Sequence, residues 1–113
     1  MALYQQESLV IVEHGESITL QCTVGKKSSD LFLWYKERLG HAPQQVGMVG
    51  SYSDPIIFPP FHHSGFKIER TENTISLTIL RATKEDEGMY FCGLSLVNVI
   101  TFYNGMFLAV SGN

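Results

Sequence analysis

Asp86-Glu87-Gly88-Met89-Tyr90-Phe91-Cys92 is the stretch that decides the reading of this chain. An acidic turn ends in a glycine, and an aromatic strand then closes on a cysteine. Working outward, Cys22 lies far upstream, and the single tryptophan, Trp34, falls between the two cysteines. Neither cysteine belongs to a C-x-x-C pair, so the spacing fits no zinc pattern. Taken alone, the two cysteines are either bridged in an oxidising compartment or two buried free thiols.

Strand patterns dominate the rest. Glu7 to Glu13 forms an apolar edge strand around Leu9, Val10, Ile11 and Val12. His14-Gly15-Glu16 is a turn in which Gly15 is free to take positive φ. Ile18, Leu20 and Cys22 alternate with Ser17, Thr19 and Gln21, a period of two with one buried face. Gly25 to Asp30 is polar and reads as a loop. Phe32 and Trp34 point to the core, which turns Leu33 and Tyr35 to the opposite face. A connection at Leu39-Gly40-His41-Ala42-Pro43 leads to a strand near Gln44 to Val49. Ile75, Leu77 and Ile79 alternate with Ser76 and Thr78. Ala82 to Gly88 is a charged turn, with one short helical turn near Thr83-Lys84-Glu85. Met89 to Gly93 and Val99 to Val110 are the last strands.

At 113 residues there is room for one domain with a core of its own. Apolar residues make up 44% and charged residues 17%, the balance of a globular domain and not of a disordered tail. The net charge of −3 and the lack of any basic block argue against nucleic-acid binding. No apolar run approaches the length of a membrane helix, so no membrane insertion is expected of this segment. Met1-Ala2-Leu3 leads directly into strand-like sequence, as expected of an excised ectodomain.

The pattern D-x-G-x-Y-x-C, with Cys22 and Trp34 ahead of it, resembles the immunoglobulin variable-type (V-set) domain. Trp34-Tyr35-Lys36-Glu37 followed by Gly40-His41-Ala42-Pro43 resembles the second framework segment of antigen-receptor V domains. Phe102-Tyr103-Asn104-Gly105-Met106-Phe107-Leu108-Ala109-Val110 resembles their joining segment, with Tyr103 and Met106 departing from the usual Gly and Thr. The resemblance runs from Leu9 to Val110. With the Ile75-Ser76-Leu77-Thr78-Ile79 strand, the degenerate joining segment looks most like a novel immune-type receptor of bony fish. A T-cell-receptor or light-chain V domain is close behind.

The resemblance implies an all-β immunoglobulin V-type β-sandwich of about nine strands with Greek-key connections, spanning 1–113 as a single ectodomain. It also implies one inter-sheet disulfide between Cys22 and Cys92, Trp34 packed against it, and Tyr90 pinning the corner before the second cysteine. The stretch between Gly47 and Gly88 leaves room for the extra hairpin of a V-type domain. One departure has physical weight. V domains usually pair the aspartate of this motif with an arginine just ahead of the Phe-x-Ile strand, and here that place is Gly65. Asp86 therefore takes Lys67, Arg70 or the backbone amides of its own turn, or is solvated and bonded locally.

Two surfaces are candidates for binding. Carried over position by position, the sheet face that pairs V domains comprises Tyr35, Glu37, Pro43, Gln45, Phe91 and Phe102. Such groups on outward-facing positions suit an interface; a long third loop folding over them is the alternative. The second surface is the loop end, with Ser29 and Asp30 in the first loop, Tyr52, Ser53 and Asp54 in the second, and Leu94, Ser95, Leu96, Val97 and Asn98 in the third. Aliphatic groups in a solvent-crossing loop suit contact with a partner. The bland reading is that Leu94, Val99 and Ile100 simply continue the sheet.

Catalysis is not expected. His14, His41, His62 and His63 fall in no metalloprotease spacing, and the adjacent pair points to opposite sides of an extended chain. No nucleophile elbow or phosphate-cradling loop occurs. Glu85-Asp86-Glu87 reads as a solvated turn. No metal or cofactor is implied. The expectation is an extracellular domain of a single-pass cell-surface receptor that binds a cell-surface protein ligand and pairs as a homodimer or a V–V heterodimer. An adhesion module working through its sheet face is the alternative.

Overall fold

The computed structural model describes residues 8–24, 31–50, 53–63, 65–96 and 99–112. Among them are nine strands: β1 (Ser8–Glu13), β2 (Ile18–Thr23), β3 (Leu31–Glu37), β4 (Gln44–Val49), β5 (Ile56–Ile57), β6 (Phe66–Arg70), β7 (Thr74–Ile79), β8 (Gly88–Leu96) and β9 (Val99–Ser111). They form a six-stranded sheet in the order β1-β9-β8-β3-β4-β5, facing a three-stranded sheet in the order β2-β7-β6. β1 runs parallel to β9, with Leu9 opposite Phe107 and Ile11 opposite Ala109. Gly15 takes φ +90° in the turn that follows β1, a conformation open to glycine at little cost.

Side-chain parity builds the core. Leu20 and Cys22 on β2, Ile75, Leu77 and Ile79 on β7, and Phe66 and Ile68 on β6 supply the inner face of the small sheet. Val12, Phe32, Trp34, Tyr90, Cys92, Met106, Leu108 and Val110 supply the other face. Each apolar group so enclosed contributes roughly 1.5–3 kcal/mol over its exposed state. The Cys22–Cys92 disulfide joins the two sheets, with Trp34 fully buried in the same core. The Trp34 indole N–H is buried without a hydrogen-bond partner. The Tyr90 hydroxyl donates to the Asp86 carbonyl oxygen at 2.6 Å and so closes the corner ahead of β8.

Four local expectations change. The stretch Gly93 to Thr101 is a hairpin in which β8 extends to Leu96 and β9 begins at Val99. Ser76 is buried although it alternates with the core residues of β7, and Leu33 is 3% exposed on the outward side of β3. Beside the expected 3-10 turn at Lys84–Asp86, a second one spans Phe61–His63. Within the acidic triplet only Glu85 is solvated: Asp86 is buried, and the half-buried Glu87 accepts a 2.7 Å hydrogen bond from the Val110 amide. That bond holds the Glu87 carboxyl below its usual range.

Candidate functional site

Tyr35, Glu37, Phe91 and Phe102 come together because β3, β8 and β9 are neighbours in the large sheet. Tyr35 pairs with Phe91 across β3 and β8, and Gly93 pairs with Phe102 across β8 and β9. The Tyr35 and Phe102 rings meet edge to face at 5.1 Å, and Phe91 and Phe102 lie 6.2 Å apart. Two glycines let these rings lie against the sheet. A Cβ at Gly105 would sit 2.7 Å from Phe91 Cε1, and one at Gly93 would sit 3.1 Å from Phe102 Cδ1. With Pro43 and Glu37 the three rings line a cleft of about 230 Å³. Gln45 reaches the rim, where its Nε2 donates to the Tyr35 hydroxyl oxygen at 2.9 Å.

This face is apolar and open. Phe102 keeps 42% of its surface exposed, and Ile100, two residues earlier on the same strand face, continues the apolar surface toward the hairpin. Such a patch on one sheet face is the candidate surface for a protein partner. Glu37 places one carboxylate at its margin.

At the loop end the picture is divided. Ser53 and Asp54 are exposed. Leu94 is not available: it pairs with Thr101, shares the inward parity of Cys92, and is only 7% exposed. Ser95 is a half-buried strand residue opposite Ile100. These two were expected in a loop, and the strand period that continues past Cys92 is the physical reason they are not. Leu96 ends β8, and its side chain, with Ser29, Asp30, Tyr52, Val97 and Asn98, lies outside the described residues.

At the opposite end of the sandwich, Asp86 turns to its own turn and not to Lys67 or Arg70. Its Oδ2 accepts from the Thr83 amide at 2.8 Å and faces the Thr83 hydroxyl at 3.3 Å. Arg70 instead lies over the Phe32 ring, 4.6 Å from its centre. The buried cation is Lys36, which shares the inward parity of Phe32 and Trp34. Its Nζ donates to the Glu85 carbonyl oxygen at 2.6 Å and lies 5.5 Å and 5.9 Å from the Tyr90 and Phe61 ring centres. Burial lowers its pKa to about 8, against the Asp86 charge, which raises it. Gly88 makes this approach possible, since a Cβ there would lie 2.9 Å from the Glu37 carbonyl oxygen and 3.1 Å from Lys36 Cε.

The immunoglobulin V-set family model matches residues 5–111. The chain belongs to the V-set family. Its relatives include human T cell receptor beta variable 29-1, 29% identical over 80% of this chain and 81% of that one. The mouse immunoglobulin iota chain is 33% identical over 83% of this chain and 69% of its own length. The mouse T-cell receptor alpha chain V region CTL-F3 is 27% identical over 94% and 79%. In fold, the V-set domain superposes on a chain from the structural study of T-cell specificity and activation by the superantigen toxic shock syndrome toxin-1. That match has a TM-score of 0.82 at 23% identity and covers 92% of this chain and 93% of the other. It matches a marsupial T cell receptor chain with a TM-score of 0.81 at 23% identity over 91% of its residues, spanning 48% of that chain. V-set domains of this kind are recognition modules and not enzymes, and those of T-cell-receptor-like proteins are extracellular.

Proposed function

We propose that this V-set domain is the recognition domain of an immune-type receptor anchored in the cell membrane, and that it pairs through its six-stranded sheet while its loop end meets a protein ligand. The open aromatic cleft of Tyr35, Phe91 and Phe102 with Pro43 is the observation that carries the reading. A protein with no partner has little reason to hold three rings at a sheet surface, where covering them contributes roughly 25 cal/mol for each Å² removed from water. Family membership supports the rest, since the relatives are antigen-receptor V domains. The likeness to fish novel immune-type receptors rests on the joining-like strand and the Ile75 to Ile79 strand.

Glu37 sets the choice of partner. A symmetric pair would bring two carboxylates together beside the rings, and like charges at close range oppose association. Lys36 cannot neutralise Glu37, because it points into the core, and Gln45 is held by Tyr35. Self-association is therefore weak, and a different V domain with a cation opposite Glu37 pairs more tightly. Sedimentation equilibrium on wild type and Glu37→Gln tests this. The neutral amide should tighten self-association, and a variant that associates no better removes the pairing reading. For the loop end, Leu96→Ser with Val97→Ser is expected to abolish capture of the domain by ligand-bearing cells while leaving sedimentation unchanged. Undiminished capture would move the contact to the sheet face, as in an adhesion module.

A further inference from the structure

A second concavity, of about 420 Å³, lies at the end of the sandwich away from the β8–β9 hairpin. Its polar lining comes from three segments: the end of β3 with Lys36 and Arg38, the start of β4 with Gln44, and the link from β7 to β8 with Arg81, Thr83, Glu85 and Asp86. Phe61, itself buried, lies on the wall beside Pro60. The charges here do not cancel. Asp86 is occupied by the Thr83 amide and hydroxyl, and Lys36 by the Glu85 carbonyl and two ring faces. The guanidinium groups of Arg38 and Arg81 have neither a salt bridge nor a hydrogen bond among the described residues. Glu85 is exposed and supplies the remaining negative charge at the rim.

We propose that this concavity binds a tetrahedral oxyanion, a sulfate or phosphate group, gripped by the forks of Arg38 and Arg81. Two planar donors lining one concavity suit the oxygens of such a group, which is the recognition guanidinium performs best. The Gln44 side-chain amide on the same wall supplies a neutral donor. An anion seated there also offsets the crowding of positive charge at the floor, where Arg38 opposes the protonation of Lys36. This reading is independent of the pairing face, because no residue lines both concavities.

The test is a titration of the folded domain with sodium sulfate at constant ionic strength, read by amide and arginine side-chain NMR shifts. A saturable shift at Thr83 and at the Arg38 and Arg81 side chains is expected. Each single variant, Arg38→Gln or Arg81→Gln, should weaken it about tenfold or more, and the double variant should abolish it. Both arginines are exposed, so the fold tolerates the changes. Glu85→Gln should tighten binding by removing the one free like charge. Repeating the titration with a heparin tetrasaccharide separates the sources. Tighter binding than inorganic sulfate, lost in the same variants, identifies a sulfate ester on a glycan, whereas sulfate binding without glycan binding identifies the free ion. Shifts that are no larger than those given by chloride, or that persist in the double variant, overturn the proposal.

Discussion

Lys36 is a buried amine, and replacing it with methionine isolates the cost of its charge. The methionine keeps most of the stem that packs against Gly88, Phe61 and Tyr90 and removes only the ammonium. In the folded protein burial lowers the Lys36 pKa from 10.5 to about 8. Below about pH 8 the amine is protonated in both folded and unfolded chains, and the burial penalty is felt in full. Between about 8 and 10.5 the folded protein has released a proton that the unfolded chain still holds, so stability rises with pH through that window. Above it both states are neutral and the gain is complete. The whole depression corresponds to roughly 3 kcal/mol at most. The amine opens onto the solvent-filled concavity beside Arg38, and screening there reduces the gain to roughly 1–2 kcal/mol.

Urea unfolding of wild type and Lys36→Met at pH 7, 8, 9 and 10 measures this directly. Wild type should gain on the variant by roughly 1–2 kcal/mol between pH 7 and pH 10, with most of the change above pH 8. The difference between the two proteins is the quantity to read, since all other titrating groups are shared. Burial pushes the Tyr90 hydroxyl far above its ordinary value, so it stays protonated in the folded state across this range. A difference that is flat with pH would refute the reasoning. It would mean that Asp86 and the Glu85 carbonyl hold the ammonium as well as water does.

Reduction of the Cys22–Cys92 bridge, which closes a separation of 70 residues, should cost roughly 2–5 kcal/mol in chemical unfolding. A thiol assay on the native, non-reduced protein should find no free thiol. Gly105→Ala places a methyl 2.7 Å from Phe91 Cε1, and the half-exposed ring can swing outward in response. Thermal unfolding should then fall by less than about 1.5 kcal/mol while self-association weakens several-fold, and a large stability loss with unchanged association would contradict the platform role.

Most of the core was legible because a strand repeats every two residues, and the same rule accounts for what was missed. Phe32, Trp34 and Lys36 share one parity, so the inward turn of Lys36 was written in β3 beside its tryptophan; hydrophobic reading passes over it because lysine is seldom buried. Tyr90, Cys92 and Leu94 likewise share a parity. The aliphatic run after Cys92 suggested a loop seeking a partner, yet its first member is core because the hairpin closes in register, with Leu96 opposite Val99. The partner of Asp86 was open between distant cations and its own turn, and the nearer choice won, since the Thr83 amide is delivered by the chain itself at no cost of ordering a long side chain. What parity cannot supply is distance between segments. The ring platform needs Gly93 under Phe102 and Gly105 under Phe91, two relations set by a register shift between β8 and β9. Arg38 follows the end of β3 and Arg81 lies in the link from β7 to β8, so the two come to one concavity only through the packing of the two sheets. Sites made within one strand can therefore be read from its alternation, whereas sites made between strands become visible only once the register is known.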